Sequence, residues 1–205
     1  MSKLNRTTIH RLTLKEQFAS ELDFPNSDME APVMSNDISA SVLEPWMNEP
    51  YSELMAIVAM LKALNTITQS FHWKTSGENF LGDHMLFQKV YEGVLPHIDS
   101  VGEKAVGLGT GSLSSSIKLQ KASMAFIEAV FSNQAIVQGA ADEADKMFRQ
   151  AGFAVATFIE TTESFKKELD QKGSLSTGLD NLLAGILDEH ETFLYLLKQR
   201  TKQSY

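Results

Sequence analysis

The 205-residue chain contains no cysteine, which excludes a disulfide framework, a thiolate metal site, a redox CxxC pair and a cysteine nucleophile. Any metal must therefore rest on imidazole and oxygen. Basic residues are in deficit, with 18 Lys and Arg against 26 Asp and Glu, a formal charge of −8 and a pI near 5.1. That balance opposes a globally basic nucleic-acid binder. No run approaches about 18 consecutive apolar residues, and Met1–Leu14 lacks the continuous apolar core of a signal peptide. Cytoplasmic residence without membrane attachment is the expectation. Alternating strand patterns are missing as well. The glycine-rich stretch from Gly107 to Ser116 lacks the preceding strand and the GK[ST] ending of a phosphate cradle.

What is present is an ordinary globular composition, 43% hydrophobic and 21% charged, enough for one core. The first fifteen residues carry Lys3, Arg6, Arg11 and Lys15 and no acid, whereas Glu16–Pro50 carries eight acids and no Lys or Arg. Turn formers such as Pro25, Asn26, Pro32 and Asn36 punctuate that acidic stretch. Residues 1–49 therefore read as an N-terminal extension, basic then acidic and partly extended with short helices at most, and 50–205 as the folded domain.

Beyond Pro50, apolar residues at Leu54, Ile57, Val58, Leu61, Leu64, Ile67 and Phe71 recur every three or four positions, which predicts a helix. Asn48 is its expected cap, Pro50 its first-turn proline, and Ser76-Gly77 its stop. A second helix is predicted over Asn79–Leu108, kinked at Pro96. A helical region over Ile117–Gly173, broken near Asn133–Gly139, and a last helix from Ser176 to about Lys202 complete an all-α bundle of four main helices with short accessory ones.

The chemistry concentrates between His72 and Glu103. A helical di-iron site within one chain needs a Glu-x-x-His pair on two helices, and positions 69, 81, 94 and 187 are Gln, Leu, Val and Leu. Instead His72 ends the first helix, His84 begins the second, and Asp99 and Glu103 share one face further along it at i, i+4. Antiparallel packing of the two helices would set His72 and His84 face to face. Asp99 lies fifteen residues beyond His84, about 22 Å at 1.5 Å per residue. One subunit thus holds two half-sites, which a two-fold dimer would join. Imidazole with carboxylate and no thiolate suits Fe(II), Mn(II) or Zn(II).

The run His72-Trp73-Lys74-Thr75-Ser76-Gly77-Glu78-Asn79-Phe80, with His84 twelve residues on and Asp99-x-x-x-Glu103 beyond, resembles the Dps family of ferritin-like DNA-protection proteins. The resemblance is strongest over about 71–109 and does not reach residues 1–49. It implies a ferritin-like four-helix bundle with an N-terminal extension, assembled as a homo-oligomeric, twelve-subunit hollow shell. It implies a ferroxidase that oxidises Fe(II) with hydrogen peroxide or dioxygen, stores Fe(III) and protects against oxidative damage. Residue by residue, His72 and His84 would come from one subunit and Asp99 and Glu103 from its two-fold mate. Trp73 would be the neighbouring aromatic that intercepts oxidising equivalents, or else a packed core indole. Asp180 would fall near the family's three-fold iron-entry pore, without most of its flanking acids.

Two features depart from the family. Gln88 stands where many members carry an acid, which bears on a second iron position, and the third helical region is longer than usual. The alternative function is a structural or DNA-associating shell protein of the same fold with little iron turnover. DNA contact would rely on the basic start, against the repulsion of an acidic shell. His10, His97 and His190 read as ordinary satisfied histidines, and Asp188, Glu189 and Glu191 as a solvated face.

Overall fold

A computed structural model describes residues 35–46, 49–109 and 115–201. Six α-helices fill them: α1 (Ser35–Leu43), α2 (Ser52–Lys74), α3 (Phe80–Gly107), α4 (Ser116–Ser132), α5 (Glu143–Gln171) and α6 (Thr177–Thr201). Single 3-10 turns at Glu44–Trp46 and Gln134–Val137 join them, and no strand occurs among the described residues.

The central helix is α2, in which every residue from Glu53 to Leu61 is buried. A helix apolar on all sides must be surrounded, and α3, α4, α5 and α1 all pack on it. By length and composition α2 could cross a bilayer, yet 72% of its most apolar window is buried inside the fold. Its start differs from expectation. The helix opens at Ser52 behind Tyr51, whose φ of 54° and ψ of 33° are left-handed, with no side-chain cap, so Pro50 precedes the first turn rather than occupying it. Asn48, the expected cap, lies outside the described residues, as do the basic start with His10 and the core of the glycine-rich loop.

Other boundaries follow local chemistry. Gly77, at φ +85°, turns the chain from α2 into α3. Pro96 sits inside α3 without ending it. At the predicted break after Asn133, Asp142 caps α5 by accepting from the Asp145 amide at 2.8 Å, while Asp145 accepts from the Ala141 amide at 2.9 Å. The α5 terminus is a Schellman turn. Gly173 at φ +66° lets the Ser174 amide reach the Leu169 carbonyl at 2.8 Å and the Gly173 amide reach Asp170 at 2.9 Å.

The core also claims part of the expected extension. Ile38, Val42 and Trp46, at three- to four-residue spacing on α1 and the turn after it, are buried with the bundle residues in one cluster. The packed unit therefore begins before the boundary expected at residue 50, because three apolar side chains on one helical face outweigh the polar residues around them. Phe71, Phe87 and Phe148 form an aromatic spine, with centroid separations of 5.5 and 4.4 Å.

Several contacts tie α6 to α3. At Gly93 an added Cβ would lie 2.5 Å from Cζ of Phe193 and 3.0 Å from Oε1 of Glu189, so only glycine allows the approach. Near the other end of α6, Arg200 donates from two nitrogens to both oxygens of buried Asp83, at 2.7 and 3.0 Å, and lies over the Phe148 ring at 5.1 Å. The Asp83 contact holds the Arg200 guanidinium above its ordinary range. We expect Arg200→Ala to leave the Asp83 carboxylate buried and unpaired and to lower unfolding free energy by about 3 kcal/mol, read from the urea midpoint. A midpoint within error of the parent would refute that account.

Candidate functional site

The α2–α3 hairpin brings His72 and His84 together as their spacing predicts. Their rings stack with centroids 3.6 Å apart and planes at 24°. The hydrogen bonding is reciprocal: His72 Nδ1 donates to the backbone carbonyl of His84 at 2.9 Å, and His84 Nδ1 donates to that of His72 at 3.0 Å. A carbonyl can only accept, so in the neutral form of each ring the proton sits on Nδ1 and Nε2 keeps a lone pair. Thr75 strengthens the clasp, donating its hydroxyl to the His72 carbonyl at 2.8 Å and standing 3.2 Å from His84 Nδ1. Tyr91 meets His72 edge-on at 5.1 Å and Phe80 stacks on His84 at 4.9 Å. A backbone acceptor on one nitrogen and a free lone pair on the other is the outfit of a metal-binding imidazole.

Asp99 and Glu103 are both exposed on α3. They border an open groove of about 570 Å³ whose other walls include Asn65 of α2 and Ser123 and Met124 of α4. Asn65 pins α2 to α3 by donating to the Tyr91 carbonyl at 2.8 Å, and Ser123 pins α4 to α2 by donating to the Ala59 carbonyl at 2.9 Å. Among the described residues, no three His, Asp or Glu side chains converge on one point. Within one chain the imidazoles and the carboxylates remain separate halves.

The carboxylates belong to a longer feature. Leu81, Met85, Gln88, Glu92, Leu95, Asp99, Glu103 and Val106 follow a three- and four-residue rhythm, which puts them on one face of α3. Leu81, Met85, Leu95 and Val106 on it are 50–67% exposed, while Phe87, Val90, Val94, Val101 and Ala105 on the opposite face are buried.

A crystal structure of a C-terminal deletion mutant of Mycobacterium smegmatis Dps is similar to this chain with a TM-score of 0.54 and 16% identity, over 81% of this chain and 97% of that one. The bundle has the ferritin-like Dps fold. No family model matches the sequence.

On this fold several of the singled-out side chains make contacts that spacing alone does not give. Trp73 is 71% exposed, which removes the packed-indole reading: it follows His72 on the outer side of the helix end. Gln88 donates to Glu92 at 2.7 Å. Asp180 pairs with Lys166 at 3.2 Å. Glu189 is not part of a purely solvated face, since it pairs with His97 at 3.1 Å.

His97 and His190 are satisfied at one ring nitrogen only. His97 Nδ1 and His190 Nε2 are buried without a hydrogen-bond partner. His190 is fully enclosed, donates Nδ1 to the Ile186 carbonyl at 2.8 Å, and packs on Phe158 at 4.4 Å. Sequence spacing held no signal for this, because His97 and His190 lie on helices brought together only by tertiary packing. Burial lowers His97 below the ordinary histidine range despite the opposing pull of Glu189, and lowers His190 to about 4.

A depressed imidazole pKa means that the unfolded chain binds the proton first as pH falls. The folded state is thus favoured above the ordinary histidine value, and that advantage is lost between about pH 6.5 and pH 4. For His190 the loss is on the order of 3 kcal/mol. Denaturant titrations of metal-free protein across this window should show the decline, and His190→Phe should flatten it. An equal slope in both proteins would contradict the assignment.

Proposed function

We propose that the chain is a ferroxidase and iron-storing shell subunit whose oxidation site is shared across a two-fold dimer. The carrying observation is the reciprocal clasp of His72 and His84, which fixes both tautomers and leaves two Nε2 lone pairs for an incoming cation. The carboxylate half is supplied by a second copy. If α3 packs antiparallel on its mate with the two-fold axis near Glu92, His84 of one copy falls opposite Asp99 and Glu103 of the other. The exposed face of α3 supports this pairing, since it leaves Leu81, Met85, Leu95 and Val106 each 50–67% exposed beside the carboxylates.

Iron is the substrate here. Two Fe(II) ions give one electron each to hydrogen peroxide, and two protons complete the reaction to two water molecules and two Fe(III). The imidazole nitrogens suit Fe(II), while the hard oxygens of Asp99 and Glu103 favour the Fe(III) product and so bias the oxidation. Trp73, exposed beside His72, would give up an electron in place of more distant groups. Oxidised iron would pass into the cavity of a homo-oligomeric shell, for which we propose the dodecamer, in the cytoplasm. The second reading, a shell with little iron turnover, draws on Gln88: its amide is engaged with Glu92 and supplies no carboxylate for a second ion.

Shared sites make a distinctive prediction. His72→Ala/His84→Ala and Asp99→Ala/Glu103→Ala chains should each be folded and nearly inactive in Fe(II) oxidation by peroxide. Co-expressed in equal amounts, half of the dimers are mixed and each regains one of its two sites, so oxidation should return to about a quarter of the parental rate. Mixed particles as inactive as their parents would reject the shared site. Parental activity in either double variant alone would reject the residues.

A further inference from the structure

We propose that His97 and His190 form a second metal site, inside each bundle and independent of the dimer, which takes one divalent cation of the zinc class. Two features carry it. The first is the pair of lone nitrogens, His97 Nδ1 and His190 Nε2, both buried and unpartnered. The second is the state of the other nitrogen on each ring. His97 Nε2 donates to the Glu189 carboxylate at 3.1 Å and His190 Nδ1 donates to the Ile186 carbonyl at 2.8 Å. In the neutral rings those bonds take the protons, so the two orphaned nitrogens present lone pairs. Carboxylate–imidazole and carbonyl–imidazole pairs are the outer-shell arrangements that orient metal-binding histidines and raise their basicity.

The spacing agrees. Two imidazoles sharing one tetrahedral ion, each nitrogen about 2.1 Å from it, have centroids roughly 5 Å apart. Two imidazoles bridged by one water at hydrogen-bond distance need about 6 Å. The His97 and His190 centroids are 5.4 Å apart, with planes at 41°. Burial holds both rings neutral near pH 7, the form that binds metal. The surroundings are closed on one side, where Phe158 and Phe193 pack on His190, and open at His97, whose side chain is 14% exposed. The ion can enter past His97, and solvent completes its coordination because the pair supplies two protein donors. Gly93 contributes by its missing side chain: a Cβ there would fall on Phe193 and on Glu189 Oε1, displacing the carboxylate that orients His97.

The test uses the full-length chain carrying His72→Ala/His84→Ala, which removes the imidazoles of the clasp. Dialysed against micromolar Zn(II) or Co(II) at pH 7.5, this protein should retain one ion per chain, and Co(II) should give the intense visible bands of nitrogen-ligated, four-coordinate cobalt. Adding His97→Gln, or separately His190→Phe, should abolish retention with helicity unchanged by circular dichroism. Glu189→Gln should weaken binding about 10- to 100-fold, the usual effect of losing an outer-shell partner. His97 and Glu189 lie at the solvent edge, so their variants decide the matter even if His190→Phe misfolds. No retained ion in the His72→Ala/His84→Ala protein, or retention undiminished by His97→Gln, would overturn the proposal.

Discussion

The enclosure of α2 is the constraint on which the other elements depend. From Glu53 to Leu61 no residue of that helix reaches solvent, so helices must cover it on every side, and α1, α3, α4 and α5 do so. At about 25 cal/mol per Å² of apolar surface, covering so many side chains outweighs the modest preferences of any connecting segment. That is why the polar stretch before Pro50 yields a short core helix through Ile38, Val42 and Trp46, and why a helix apolar enough for a bilayer lies inside a bundle instead.

Once α2 is enclosed, α3 is packed against it and α6 is drawn onto α3. Gly93 admits Phe193, and Asp83 receives Arg200. The two histidine pairs are consequences of these two packings. His72 and His84 meet because a short turn through Gly77 reverses the chain, so their contact is local and twelve residues apart in sequence. His97 and His190 meet across the bundle, ninety-three residues apart. Both pairs use a backbone carbonyl to settle a tautomer, and they differ in surroundings: the first lies half-buried at the end of a hairpin, while the second runs from the enclosed His190 to His97 at the solvent edge.

The helical periodicity, the passage of the second helix through Pro96, the break after Asn133 and the facing of His72 and His84 were legible because each follows from spacing along one chain segment. The separation of Asp99 and Glu103 from the imidazoles was legible for the same reason, since helical rise converts residue number directly into distance. Trp73 was not. An indole beside a buried Phe71 is as compatible with the interior as with the surface, and only the end of α2 at Lys74 leaves it outside. Glu189 was read as solvated because its neighbours Asp188 and Glu191 are acidic, whereas its partner His97 belongs to a different helix.

Sequence by itself determined the helices, their approximate limits and the segregation of imidazole from carboxylate along the chain, all of which depend on repeat lengths of three to four residues and on a fixed rise. Only the tertiary structure decided which histidines lost their water, which nitrogens were left without partners, and where the core began. Those outcomes depend on contacts between helices distant in sequence, where the close approach allowed at Gly93 and the layering of aromatic rings decide what a polar atom can reach. Periodicity reports which face of a helix is apolar. It does not report which other helix will cover that face, and the orphaned nitrogens of His97 and His190 follow from that choice.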